Sequence, residues 1–261
     1  MTWMIIGSTA QYHWFDDSRQ PTDLDLLTPA KIAGNLAKVC VVDSQWHELA
    51  EEIMDRSEDK VFADPWILLT LKISHAHWDI HFDKTLFDIH FLQQKGVTYD
   101  LDLYHKLYAM WEKIHGKKPA YVAGEVDSFF TETVQRIYPH DFVHECVKFN
   151  DKPMHELIRP DLTKVWCSEE MFNALMPDQQ AQDALEEILV TAIERKQLTK
   201  DSTKIDRLKA VKYAHRQLCT SMTKGWFARY LIINHHNLLY VRKKEWQNQL
   251  EKALILLSQR T

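Results

Sequence analysis

Glycine is the residue whose scarcity most restricts what this chain can become. Six glycines and eight prolines in 261 residues are too few for an all-β protein of many short strands, which needs turn formers about every 8–12 residues. A mostly helical chain is therefore expected. Hydrophobic residues at 45% and charged residues at 26% are an ordinary balance for a chain that buries a core. The length allows one large domain or two small ones. Most of the nine tryptophans are expected in the core or in pocket walls.

The N-terminal stretch departs from the helical background. Trp3-Met4-Ile5-Ile6 reads as a short buried strand that ends at Gly7-Ser8-Thr9. Ala10 to Phe15 reads as a short helix capped by Ser8 or Thr9. Asp16 to Pro21 is a polar loop, and Thr22 to Leu27 alternates polar and apolar as a half-buried strand does. Lys38 to Asp43 is the third strand candidate. From about Trp46 the spacing turns helical. Pro65 suits a helix start, Leu68, Leu71, Trp78, Phe82 and Leu86 keep helical spacing, and Gly96 suits a C-cap. Further helices are expected near 100–115, 125–137, 140–149, 178–197, 203–220, 224–235 and 242–258, with Lys148 to Trp166 the most loop-like segment. The expected class is α+β: a small mixed sheet over 1–62, then a larger helical domain over 63–261.

Chemistry first appears at Thr22-Asp23-Leu24-Asp25-Leu26. Residues two apart in a strand share a face, so Asp23 and Asp25 present both carboxylates together while the leucines point to the core. Adjacent carboxylates repel unless a cation lies between them, and hard oxygen ligands suit Mg²⁺. A site for two ions needs a further acid from a neighbouring strand, and Asp43 is placed for that. The small Gly7-Ser8 turn would let backbone N–H groups approach a triphosphate.

Apolar strand, Gly7-Ser8, spacer, Thr22-Asp23-Leu24-Asp25: this order resembles the DNA polymerase beta-like nucleotidyltransferase superfamily. The resemblance implies that Gly7 and Ser8 bind nucleotide phosphates. It also implies that Asp23, Asp25 and Asp43 hold Mg²⁺, two ions if the reaction runs, for transfer of a nucleoside monophosphate from an NTP. Asp43 follows the pair more closely than that superfamily's third acid usually does.

A second constellation is rich in histidine: Lys72, His75, His77, Asp79, His81, Asp83, Lys84, Asp88 and His90. Read as one helix, Lys72, His75 and Asp79 share a face, and His77, His81, Lys84 and Asp88 share another. Lys84 could pair with its acidic neighbours, or Lys72 and Lys84 could neutralise phosphate if this helix packs over a nucleotide. Pro139-His140-Asp141-Phe142-Val143-His144 reads as a helix start with a second histidine pair. His75, Asp79, His140, Asp141 and His144 weakly resemble the ligands of HD-type metal-dependent phosphohydrolases, the rival enzyme class. The bland alternative is an amphipathic helix with Trp78, Phe82 and Phe87 in the core.

The block from His75 to Gly96, the Pro139-His140-Asp141 turn and Thr223-Lys224-Gly225-Trp226-Phe227 also resemble a family of uncharacterised tailed-phage proteins. Some of these carry a nucleotidyltransferase label. That resemblance implies a phage protein working in a bacterial cytoplasm, either as an enzyme or as a non-catalytic accessory that binds a host factor.

Charge is unevenly spread. Between Arg195 and Lys244 thirteen Lys/Arg face two acids, a net +11; with −5 over the whole chain, the remainder carries −16. Such a region suits a polyanion, so nucleic acid is an expected partner through 195–244, with Lys204, Arg207, Lys212 and Arg216 beside Trp226, Tyr230 and His235-His236. The four scattered cysteines form no CxxC pair, which suits a reducing compartment. The start lacks a basic n-region, and no apolar run approaches the roughly 20 residues of a membrane span. The expected place is therefore cytoplasmic. Oligomeric state is not legible in the sequence.

Overall fold

The computed structural model describes residues 3–29, 40–43, 48–79, 82–115, 138–149, 168–196, 198–221 and 225–259. The protein is mostly helical with a small sheet at its N-terminal end, an α+β chain. Contacts divide it into two compact units, Met1–Ile114 and His115–Thr261. The first unit thus runs well past residue 62 and takes in the helices that follow the sheet. Among the described residues, no helix is long and apolar enough to cross a membrane.

In the first unit β1 (Met4–Ile6), β2 (Leu24–Leu27) and β3 (Cys40–Asp43) form the sheet, in that order. β1 and β2 pair antiparallel with Ile6 opposite Asp25, and β2 and β3 pair parallel with Leu27 opposite Asp43. The sheet is therefore mixed. β1 is not a bare edge, because the Ile5 N–H donates to Val61 O at 2.8 Å and the Ala63 N–H donates to Ile5 O at 2.9 Å. Sequence spacing gave no warning of this clasp, since Val61 and Ala63 lie in a segment without periodic pattern.

Helix α1 (Gly7–Trp14) starts at Gly7 itself, so Ser8 and Thr9 lie inside it and are not its caps. Helices α2 (Ala50–Arg56), α3 (Pro65–His75), α4 (Phe82–Gln94) and α5 (Leu101–His115) complete the unit. Pro65 opens α3 as expected, its missing N–H costing nothing in a first turn. The single helix expected to run from Pro65 to Gly96 is broken. Ala76–Trp78 tightens to a 3₁₀ turn, and Asp79 is extended before α4 begins. Trp78 and Phe82 are both buried on either side of this break. A continuous helix would splay apolar side chains that the two shorter helices bury by packing on one another. Gly96 ends α4 in the left-handed region (φ +76°), with the Val97 N–H donating to Leu92 O at 3.1 Å and the Gly96 N–H to Gln93 O at 2.9 Å.

The second unit contains α6 (His140–Val147), α7 (Glu169–Asn173), α8 (Pro177–Lys196), α9 (Lys204–Ser221), α10 (Gly225–Ile233) and α11 (Lys243–Ser258). Asn237–Val241 forms a π turn before α11. α8 packs against α6 and α9, and α6 also packs against α11. Apart from the short α7, which no expected span covers, these helices fall close to the expected spans. The helix expected at 125–137 and the loop-like stretch 150–166 lie outside the described residues. Of the tryptophans, Trp78, Trp111 and Trp246 are fully buried, whereas Trp3 and Trp14 are more than a third exposed.

Candidate functional site: a bipolar cleft in the first unit

The antiparallel register of β1 and β2 brings the Gly-Ser turn to the aspartates. Asp25 lies opposite Ile6, so its side chain meets the next residue, Gly7. Gly7 has φ +68°, and a Cβ built on it would collide with Asp25 Oδ2 and lie 3.0 Å from Cγ. Only glycine fits, for its backbone angle and for its missing side chain. Asp23 precedes β2 by one residue. Its carbonyl accepts from Thr9 Oγ1 at 2.7 Å, which ties the approach to the strand onto α1. The first turn of α1 holds no acid of its own, and Asp25 supplies a carboxylate beside that positive helix end.

α3 and α4 supply the opposite wall. Gly7, Ser8, Arg19, Asp23 and Asp25 share one cleft of about 270 Å³ with Lys72, His75, Asp79, Lys84, Thr85 and Asp88; Ile6, Leu68 and Leu71 form its apolar lining. The break after His75 is what makes this possible. Lys72, His75 and Asp79 were expected on one helix face, and Lys84 and Asp88 on another; with the helix divided, all five line the same cavity.

Asp88, 1% exposed, is held there by two cations. Arg19 grips it with both ends of its guanidinium, Nε to Oδ1 at 2.8 Å and Nη2 to Oδ2 at 2.9 Å, and Lys72 Nζ donates to Oδ2 at 2.8 Å. Burial pushes the Asp88 carboxyl up, but Lys72 and Arg19 together outweigh burial and hold it below the usual carboxylate value. The expected Lys84–Asp88 pair is thus replaced by a non-local one. Among the described residues Lys84 forms no ion pair, and it is exposed at the cleft. Asp79 is buried and accepts from the Thr85 hydroxyl. His75 stacks on Trp111 with ring centroids 4.5 Å apart. His77 packs into an aromatic cluster with Trp78 and Tyr108, and it is not among the cleft residues.

Arg19 escaped the sequence reading, which saw only a polar loop between Asp16 and Pro21. Its partner lies 69 positions away, and no local spacing signals such a pair. Asp43 sits in β3 opposite Leu27, one rung pair beyond Asp25; its side chain lies outside the described residues.

The residues of the rival hydrolase constellation fall in two units. His75 and Asp79 belong to the first, and His140, Asp141 and His144 to α6 of the second. The side chains of His140 and Asp141 lie outside the described residues. His144 is buried between two glutamates of α8, with Nδ1 3.8 Å from Glu186 Oε1 and Nε2 3.3 Å from Glu187 Oε1. A single ion cannot reach both edges of one imidazole, so Glu186 and Glu187 do not join His144 around one metal. Among the described residues, no three His, Cys, Asp or Glu side chains gather as a metal-binding group.

The basic stretch is partly spent on structure. Arg207 donates to Ser202 O and Lys200 O, Lys212 lies over the Tyr240 ring at 5.2 Å, and Arg242 pairs with Asp178 and Glu245. Lys204, Lys209, Lys243 and Lys244 remain exposed.

The site and fold therefore define an α+β protein whose first unit holds a small charged cleft, lined by Asp23, Asp25 and Arg19 from the sheet end and by Lys72, Asp79, Lys84 and Asp88 from the helical end. The chain belongs to the family described as "Domain of unknown function (DUF7275)", which matches residues 67–252. That span takes in most of α3 and the helices after it, while Gly7, Ser8, Asp23 and Asp25 lie before it. No curated protein and no solved structure matches the chain.

Proposed function

We propose that the cleft binds a nucleoside triphosphate with Mg²⁺ and transfers its nucleoside monophosphate to an acceptor hydroxyl. The observation that carries this reading is the contact of Gly7 with Asp25, which puts a phosphate-compatible turn and the paired aspartates in one cavity. The donor set suits the ion: Mg²⁺ is usually bound through one or two carboxylates together with phosphate oxygens and water. The Asp23 carboxylate accepts from the Thr22 hydroxyl at 3.4 Å. Asp23 and Asp25 would hold one ion, and a second would call on Asp43.

Bound there, Mg²⁺ would supply charge neutralisation at the phosphates. The chain's own residues position the reactants. The Gly7-Ser8 backbone at the start of α1 turns N–H groups to phosphate oxygens, and the exposed Lys84 adds a mobile positive charge. In the transfer a bond forms between the acceptor oxygen and the α-phosphorus as the bond to the bridging oxygen breaks. The electron pair leaves with pyrophosphate, and the hydroxyl proton passes to solvent. For the acceptor, the exposed lysines at 204, 209, 243 and 244 favour a nucleic-acid end.

The test is a thermal-shift panel of nucleoside triphosphates with and without Mg²⁺, followed by pyrophosphate release. Ligand at about a hundred times its Kd should stabilise the protein by about 2.7 kcal/mol. Asp23→Ala should lower Mg²⁺-dependent pyrophosphate release roughly 10²–10³-fold, as loss of a charge-stabilising group in an active site does. No shift with any triphosphate at millimolar concentration, beside a stable complex with a host protein, would replace this reading with an accessory binding role.

A further inference from the structure

Beyond the paired aspartates, the cleft carries a second charge arrangement, where the loop residue Arg19 meets the helical wall, and it has its own consequence. One buried carboxylate, Asp88, holds two cations, Arg19 and Lys72. One negative charge against two positive ones leaves an excess of +1. Both cations keep a wet surface: the side chains of Arg19 and Lys72 are 22% and 13% exposed, whereas that of Asp88 is 1% exposed. A guanidinium has five N–H donors and an ammonium three. Asp88 takes two from Arg19 and one from Lys72, so donors remain for a ligand. The carboxylate is the hub, and both cations line the same cavity as Gly7 and Ser8. A metal ion has no use for such a pair. An anion with several oxygens, long enough to span two cations, does.

We infer that Arg19 and Lys72, fixed in place by Asp88, form a diphosphate subsite that holds the pyrophosphate portion of the triphosphate and then the pyrophosphate that leaves. The naming of the ligand rests on the transferase reading above, but binding to the subsite needs no turnover. Arg19 supplies a planar fork that matches phosphate oxygens, and Lys72 a compact point charge. Asp88 does not touch the ligand. It is a positioning residue, and it stops two neighbouring cations from repelling each other apart when the cleft is empty.

The experiment is calorimetric titration of the full chain with inorganic pyrophosphate in EDTA, so that no metal contributes. The wild type should bind, and orthophosphate should bind at least about tenfold more weakly because one phosphoryl group cannot span both cations. Arg19→Gln and Lys72→Gln should each weaken pyrophosphate about tenfold or more, the loss of one charge-assisted contact. Asp88→Asn separates placement from charge. If Asp88 only diluted the positive potential, its loss would tighten binding; as a positioning residue its loss loosens binding about tenfold. Tighter binding in Asp88→Asn overturns the positioning role. Should Lys72→Gln fail to fold, Arg19→Gln, on a partly exposed loop residue, decides alone. Unchanged pyrophosphate affinity in the Arg19 variant, alongside Asp23-dependent turnover, removes the subsite and keeps the transferase. Lost affinity, with no turnover of any triphosphate by the wild type, keeps the subsite and removes the transferase.

Discussion

Gly7→Ala should destabilise the protein by about 3 kcal/mol, roughly 10 °C in Tm for a unit of this size, and should remove the nucleotide binding proposed for the cleft. Two costs add. A left-handed backbone angle costs a residue with a Cβ about 1–3 kcal/mol, and Gly7 sits at φ +68°. The methyl must also enter space filled by Asp25 Oδ2, and forcing extra volume into a packed place costs typically 1–3 kcal/mol. Gly96 is the internal control. It has φ +76° and nothing within 4 Å of where its Cβ would be, so Gly96→Ala meets only the backbone cost, about 1 kcal/mol. Urea unfolding of both variants should put Gly7→Ala well below Gly96→Ala. A cycle with Asp25→Ala refines the result, because removing the carboxylate should recover the collision part and leave the backbone part. Equal losses at the two glycines would mean that Asp25 does not lie against the turn, and the shared cleft would go with it.

The second large effect belongs to Glu186 in α8. It is 5% exposed, and burial, then the nearby charge of Asp183, push its carboxyl up to about 8 from an ordinary 4.5; the Phe149 N–H and Lys148 pull weakly the other way, and Glu145 adds to the rise. The folded form therefore keeps a proton that the unfolded chain has released. Stability from this group is full below pH 4.5, falls as the pH rises towards 8, and is flat above it. The slope can reach about 1.4 kcal/mol per pH unit, and the whole fall is on the order of 5 kcal/mol. Glutamine has the shape of the protonated acid and does not titrate. Glu186→Gln should thus leave stability at pH 5 nearly unchanged, raise it at pH 9, and flatten the dependence between them. Urea midpoints at pH 5, 7 and 9 for both proteins check this, and the difference between them cancels the titration of every other group. Parallel curves would show that Glu186 is already ionised in the fold.

Much of this molecule is written locally. Few glycines, apolar residues at helical spacing, Pro65 at a helix start and Gly96 at a helix end specify helices because each acts through bonds within a turn or two of itself. The strand of Leu24–Leu27 and the turn at Gly7 are legible for the same reason: alternation and a left-handed glycine are properties of a few consecutive residues. Pairing Gly7 with Asp23 and Asp25 is a longer step, yet an apolar strand before the turn and an alternating one after it make their antiparallel pairing the short connection. What the chain could not announce is anything decided by packing. The break at Ala76–Trp78 interrupts a segment whose spacing is continuous, since burying Trp78 and Phe82 against neighbours outweighs a few helical hydrogen bonds. That break brings Lys84 and Asp88 to the wall shared with Lys72, His75 and Asp79, and it exchanges a local Lys84–Asp88 pair for Arg19–Asp88–Lys72. Glu186 and Glu187 read as ordinary polar positions of a long helix, and only the close approach of α6 and α8 buries them around His144. A charge's environment depends on everything folded round it, and no stretch of sequence contains that information by itself.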